Sequence, residues 1–81
     1  MDMDEPVTKV RDLGLASSLA SCGFEVQEIE RDAGGQAYFI FIKTGGLERA
    51  INGYWADTLD VKARTLIDNT KALKSRIYGE R

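Results

Sequence analysis

The chain has 81 residues, 43% hydrophobic and 30% charged, with one cysteine, no histidine and a net charge of −2. This is the composition of one small globular domain rather than of a disordered segment, near the size at which a single core is only just sufficient and oligomerisation helps. Lack of histidine removes the commonest general base and metal ligand and every Ser-His or Cys-His pair, and the lone Cys22 excludes an internal disulfide and a multi-cysteine zinc site.

Residues 1–6 form an acidic tail, Met1-Asp2-Met3-Asp4-Glu5 closed by Pro6, with no core pattern, and are expected to be flexible; residues 7–81 then make a single domain. The acidic start is unlike a signal peptide, and no apolar run approaches the roughly 20 residues of a membrane span. A cytoplasmic protein with no membrane contact is expected. Val7-Thr8-Lys9-Val10-Arg11 is β-prone and can add an edge strand. Asp12 is suited to cap a helix over Leu13 to Cys22, in which Leu15, Ala16, Leu19 and Cys22 recur at helical spacing. Gly23 supplies the left-handed stop, and Phe24 then faces Leu19 as in a Schellman ending. Ser17, Ser18 and Ser21 read as the polar side of this helix.

Glu25 to Arg31 reads as a strand whose three glutamates suit an exposed edge. Val26 and Ile29 are three apart, which implies a bulge near Gln27 or partial cover on both faces. Asp32 to Gln36 is a hairpin loop leading into Ala37-Tyr38-Phe39-Ile40-Phe41-Ile42, an unbroken run of six apolar residues rich in strand-forming types. Its period of two sets Phe39 and Phe41 on one face and Tyr38, Ile40 and Ile42 on the other. Both faces need cover, which makes this strand a place to expect a homodimer contact or a docking edge.

Thr44-Gly45-Gly46 turns the chain into a second helix with an apolar stripe of Leu47, Ala50, Ile51, Tyr54 and Trp55; Gly53 within it either allows close packing or marks an early end. As an anion site, the turn lacks the spacing and Lys-Ser/Thr of a phosphate-binding loop. Asp60 is the expected cap of a third helix, Val61 to Tyr78, stopped by Gly79, with Ala63, Leu66, Ile67, Thr70, Leu73 and Ile77 as its buried face. The predicted fold is α+β: a β-hairpin, with a possible third N-terminal edge strand, packed with three helices in the order (β)αββαα.

Residues 1–61 carry five basic and eleven acidic side chains, whereas 62–81 carry six basic and two acidic. Arg64, Lys71 and Lys74 lie along one flank of the third helix, with Asp68 placed to pair with Arg64 or Lys71. They are the candidate nucleic-acid contacts, set against an acidic chain of pI about 5.0 and against the tendency of late-helix bases to complement the helix dipole. Tyr38, Phe39, Phe41 and Trp55 are the candidate protein-contact residues, since large aromatics are enriched in interface hot spots as well as cores. Asp2, Asp4 and Glu5, or Asp57 with Asp60, offer carboxylates without a recognisable metal-ligand spacing. Cys22, near a helix C-terminus, is in the wrong place for a low-pKa thiolate and reads as structural.

The pattern Asp12-Leu13-x-Leu15-Ala16-x-x-Leu19-x-x-x-Gly23-Phe24, then Tyr38-Phe39-Ile40-Phe41, Tyr54-Trp55 and Leu73-Lys74-x-Arg76-Ile77-Tyr78, resembles a family of short bacterial and phage proteins classed only as a domain of unknown function. The resemblance spans residues 7–78 and implies a compact α+β domain in prokaryotes or their viruses. Every element in it is a core or capping position, so it transfers no catalytic or binding residue. The sequence therefore points to a non-catalytic interaction module without cofactor, acting through protein contacts or as a homodimer; the alternative is a nucleic-acid-binding protein using the basic flank of the last helix.

Overall fold

The computed structural model describes residues 6–79; the expected acidic tail, with Asp2, Asp4 and Glu5, lies outside the described residues except for Pro6. The elements are β1 (Val7–Val10), α1 (Leu13–Ser21), β2 (Val26–Arg31), β3 (Ala37–Ile42), α2 (Leu47–Trp55) and α3 (Ala63–Tyr78). Three strands form one antiparallel sheet in the order β1-β3-β2, so the fold is α+β. Pairing extends to Pro6, whose carbonyl accepts the Lys43 N–H at 3.0 Å.

Local sequence explains each boundary of α1. The Asp12 carboxylate accepts the Leu15 N–H at 2.9 Å, which satisfies one of the first-turn amides that have no partner within the helix. At the other end Phe24 N–H donates to Leu19 C=O and Gly23 N–H to Ala20 C=O, with Gly23 at φ 102°: the paired bonds of a Schellman ending, in a conformation only glycine adopts without strain.

The strand β3 runs down the middle of the sheet, paired with β1 and β2. A docking edge on this strand is therefore ruled out: its backbone groups are taken on both sides, and the edges belong to β1 and to acidic β2. The irregularity expected near Gln27 is present, as a register shift between Val26 and Glu28. It returns Val26 and Ile29 to the same face, opposite Phe41 and Phe39, where both pack against the helix core.

That core joins Val10, Phe39 and Phe41 of the sheet to Leu15, Ala16 and Leu19 of α1, Leu47 and Ala50 of α2, and Leu73 of α3. Burial of each large side chain in it is worth about 1.5–3 kcal/mol. Phe39 and Phe41 are 1% and 0% exposed; as candidate contact residues they are corrected to core, because they are on the sheet face that the helices cover. Helix α2 also departs from its expected stripe: Leu47 and Ala50 are buried, Ile51 and Tyr54 half-buried, and Trp55 is 63% exposed. At Gly53 the chain doubles back, Thr58 and Leu59 donating to its carbonyl, and a Cβ there would sit 3.6 Å from that of Leu59. That is an ordinary van der Waals distance, so packing here does not require a glycine. Asp57, just past α2, takes a left-handed φ of 63°, a conformation aspartate tolerates.

Serines on α1 are not its polar side. Ser17 and Ser18 are buried, and Ser21 Oγ accepts from Asn69 Nδ2 of α3 at 3.0 Å while donating to Ser17 C=O. Small side chains let α3 lie close along α1, and this contact sets the rotation of α3.

Candidate functional site

Helix α3 begins at Ala63, with Lys62 rather than Asp60 as its N-cap residue. Its inward residues are Leu66, Asn69, Thr70, Leu73 and Ile77, buried or half-buried; Ala63 and Ile67, expected inside, are exposed. The reason is geometric. Seven-residue spacing ties Leu66 to Leu73, Ile77 follows one turn later, and Asn69 is drawn in by the Ser21 hydroxyl. Ile67, 100° round the helix from Leu66, then turns to solvent.

Arg64, Ile67, Lys71, Lys74 and Tyr78 consequently share one outward stripe, at steps of three, four, three and four. It runs about 21 Å along the helix. All five are exposed, Ile67 at 53% and Tyr78 at 69%. A shallow depression at its C-terminal end is lined by Lys71, Lys74, Ser75, Tyr78 and Gly79. Asp68 makes no ion pair with Arg64 or Lys71: the pair found among the described residues is Lys9–Glu30. The sequence singled out the three bases; it did not reveal that Ile67 and Tyr78 stand among them, since Ile67 fits the apolar spacing of the helix equally well as a core residue.

The sheet face opposite the helices carries Val7, Lys9, Glu28, Glu30, Tyr38, Ile40 and Ile42, as the register requires. Lys9 on β1 and Glu30 on β2 are on strands about 9.6 Å apart, with β3 between them, yet their side chains meet at 3.3 Å. The pair spans β3 above Ile40, directly beside Lys9 in register. Ile40 is thereby reduced to 3% exposure outside the helix core. Tyr38 and Ile42 beside it are half-buried, and Tyr38 also donates to the Asp32 carboxylate at 3.3 Å. Trp55 stands edge-on to Tyr54, ring centroids 4.9 Å apart.

Among the described residues three groups are shifted from their ordinary range. Asp32 in the hairpin loop is lowered, first by the Gln36 N–H and then by Gly34 N–H and the Tyr38 hydroxyl that its carboxylate accepts. Tyr54 is raised by burial and by the Asp12 charge. The Cys22 thiol is raised by desolvation although the residue is exposed. A raised thiol in an exposed position is a weak nucleophile. Among the described residues no three histidine, cysteine or carboxylate side chains cluster as a metal would require, and no helix is long and apolar enough to cross a membrane.

These features define a small α+β module: a three-stranded antiparallel sheet with helices over one face and a basic, partly apolar helix stripe turned outward. Residues 7–79 match the family described as Domain of unknown function (DUF5659), and the chain belongs to that family. No curated protein and no solved structure matches it.

Proposed function

We propose that the protein is a non-catalytic interaction module that docks an acidic, partly apolar protein segment along the outer stripe of α3. The observation that carries this reading is the exposure of Ile67 and Tyr78 in line with Arg64, Lys71 and Lys74. Bases alone would suit a phosphate backbone equally well. An aliphatic side chain held between two of them gains nothing from phosphates, but gains on burial against an apolar partner. An amphipathic acidic helix presents the matching pattern, with apolar residues at the same three-four spacing. A cytoplasmic setting in a bacterium or its phage accompanies this reading: the origin is supported by the sequence resemblance alone, the setting by the acidic first residues and by the lack, among the described residues, of a helix long and apolar enough to cross a membrane.

Fluorescence anisotropy tests it with two probes: a labelled synthetic helix with leucines at three-four spacing flanked by glutamates, and a labelled DNA duplex or single strand. Saturable peptide binding, weakened by Ile67→Ser and by Lys71→Glu with Lys74→Glu, is expected. If only DNA binds, with a steep salt dependence and no effect of Ile67→Ser, the nucleic-acid reading replaces it.

For self-association the open sheet face is the suited surface. Rotation about an axis parallel to the strands places Lys9 on the β1 edge of one copy over Glu28 and Glu30 on the β2 edge of the other, the complementarity of an isologous contact. Three strands of four to six residues span about 14 by 20 Å, well under the roughly 800 Å² per partner of a stable interface. A weak homodimer, assembled through Val7, Tyr38 and Ile42, is the form proposed.

A further inference from the structure

At the far end of the sheet, between the start of α1 and the end of α3, a cleft of about 240 Å³ opens. Leu13, Ala37, Phe39 and Ile77 supply its apolar lining, Tyr78 and Gln36 contribute polar groups, and both Arg11 and Arg31 line it. Among the described residues no carboxylate lines it and neither arginine forms an ion pair. In a chain of net charge −2, two arginines brought to one cleft, one just past β1 and one at the end of β2, with no carboxylate partner among the described residues, are not what surface composition alone produces.

Arg31 is also fixed in place. It donates to Ile77 C=O at 2.6 Å and to Gly35 C=O at 3.3 Å, so its guanidinium ties the hairpin to the last turn of α3. Two of its five N–H groups are used in this way and the others remain for a ligand, with little further side-chain entropy to lose. The first backbone N–H groups of α1 lie at the same end of the fold, of which Asp12 occupies Leu15 N–H. Positive groups rimming an apolar floor describe a site for an anion attached to an apolar body, and the volume accommodates roughly ten non-hydrogen atoms at the density of organic matter.

We propose that the Arg11–Arg31 cleft binds a small organic carboxylate, the acid group between the two arginines and the apolar body over Leu13 and Ile77. The shared chemistry, an apolar carboxylate, is presented both by a free aromatic acid and by the C-terminal residue of a peptide. The site does not depend on the α3 stripe, so either can fail without the other.

Heteronuclear NMR titration with phenylacetate, its neutral isostere phenylacetamide, and the peptide Gly-Ser-Gly-Phe with a free or amidated C-terminus tests the site. Saturable shifts confined to residues around Leu13, Gln36 and Ile77 are expected from the acids, with a dissociation constant on the order of a millimolar, and no such shifts from the two neutral analogues. Tighter binding of the peptide acid assigns the site to a chain terminus; tighter binding of phenylacetate assigns it to a free acid. Arg11→Gln, which disturbs none of the hydrogen bonds of Arg31, should weaken binding about tenfold and leave the amide spectrum otherwise unchanged. Equal shifts from the neutral analogues, unchanged affinity in Arg11→Gln, or no saturable response to either acid at roughly 20 mM would overturn the proposal.

Discussion

Gly14, within the first turn of α1, is where a single methyl group tests the packing. A Cβ there would meet the Tyr54 hydroxyl at 2.6 Å and the Asp12 carboxylate at 3.2 Å. Alanine in a helix normally stabilises by about 0.5–1 kcal/mol over glycine, but the tyrosine oxygen removes that gain. Gly14→Ala should lower the urea midpoint in the native background and raise it when combined with Tyr54→Phe, a sign reversal that a double-mutant cycle reads directly. Ser17 offers the opposite case. Its hydroxyl is fully buried and has no hydrogen-bond partner among the described residues, so it bears a desolvation cost without return. Ser17→Ala should stabilise by about 1 kcal/mol in the same denaturation assay; a clear loss would mean that the hydroxyl is satisfied in solution.

The hairpin loop and α3 carry the predictions that belong to whole elements. In the loop, the Asp32 carboxylate accepts from Gly34, Gln36 and Tyr38, and its pKa is lowered. A carboxyl lowered on folding contributes stability that is present above its unfolded pKa and is lost as pH falls through its folded value. The native protein should therefore lose stability more steeply than Asp32→Asn on acidification below the ordinary carboxylate range, and the two should differ by a constant amount at neutral pH. Thermal melts across an acid series check this; parallel curves would sink it. On α3 the two sides of one helix should respond differently. Leu73→Ala removes a buried side chain (5% exposed) and should cost about 2–5 kcal/mol, while Ile67→Ser, at 53% exposure, should stay within about 0.5 kcal/mol. An equally large loss at Ile67 would mean that the residue is covered in solution, by a partner or by a second copy.

For the molecule as a whole, the separation of charge is the feature with consequences. The acidic β2 edge and the basic stripe of α3 belong to different surfaces, so a protein of pI about 5.0 retains a locally positive face. Sedimentation velocity should show a monomer at low micromolar concentration and a rising dimer fraction towards the millimolar range, reduced by Lys9→Glu, which sets like charges opposite each other across the proposed two-fold contact. A Lys9→Glu dimer as strong as the native one would exclude the open sheet face. The Lys9–Glu30 pair itself, with side chains 58% and 43% exposed, contributes less than about 1 kcal/mol to folding; its structural effect is to cover Ile40.

Several features follow from the sequence alone because their causes are local: the Asp12 cap and Gly23-Phe24 ending of α1, the strand at Ala37–Ile42 and the three helices in order; at Gln27 the sequence left a bulge or cover on both faces, and the register shift between Val26 and Glu28 decided for the bulge. Each depends on residues within one turn or one hairpin, where backbone hydrogen bonding and side-chain period leave few options. The bases of the candidate stripe were legible for the same reason, as a helical spacing. Sequence could not settle which rotation of α3 is buried, because Leu66 and Ile67 fit an apolar stripe equally well until the Ser21–Asn69 bond and the small side chains of α1 choose between them. Nor could it place β3 in the centre, bury Phe39 and Phe41, expose Trp55, or bring Arg11 and Arg31 to one cleft. Those outcomes depend on contacts between residues distant in the chain, whose partners exist only once the sheet has closed in the order β1-β3-β2 and the helices have covered one face of it.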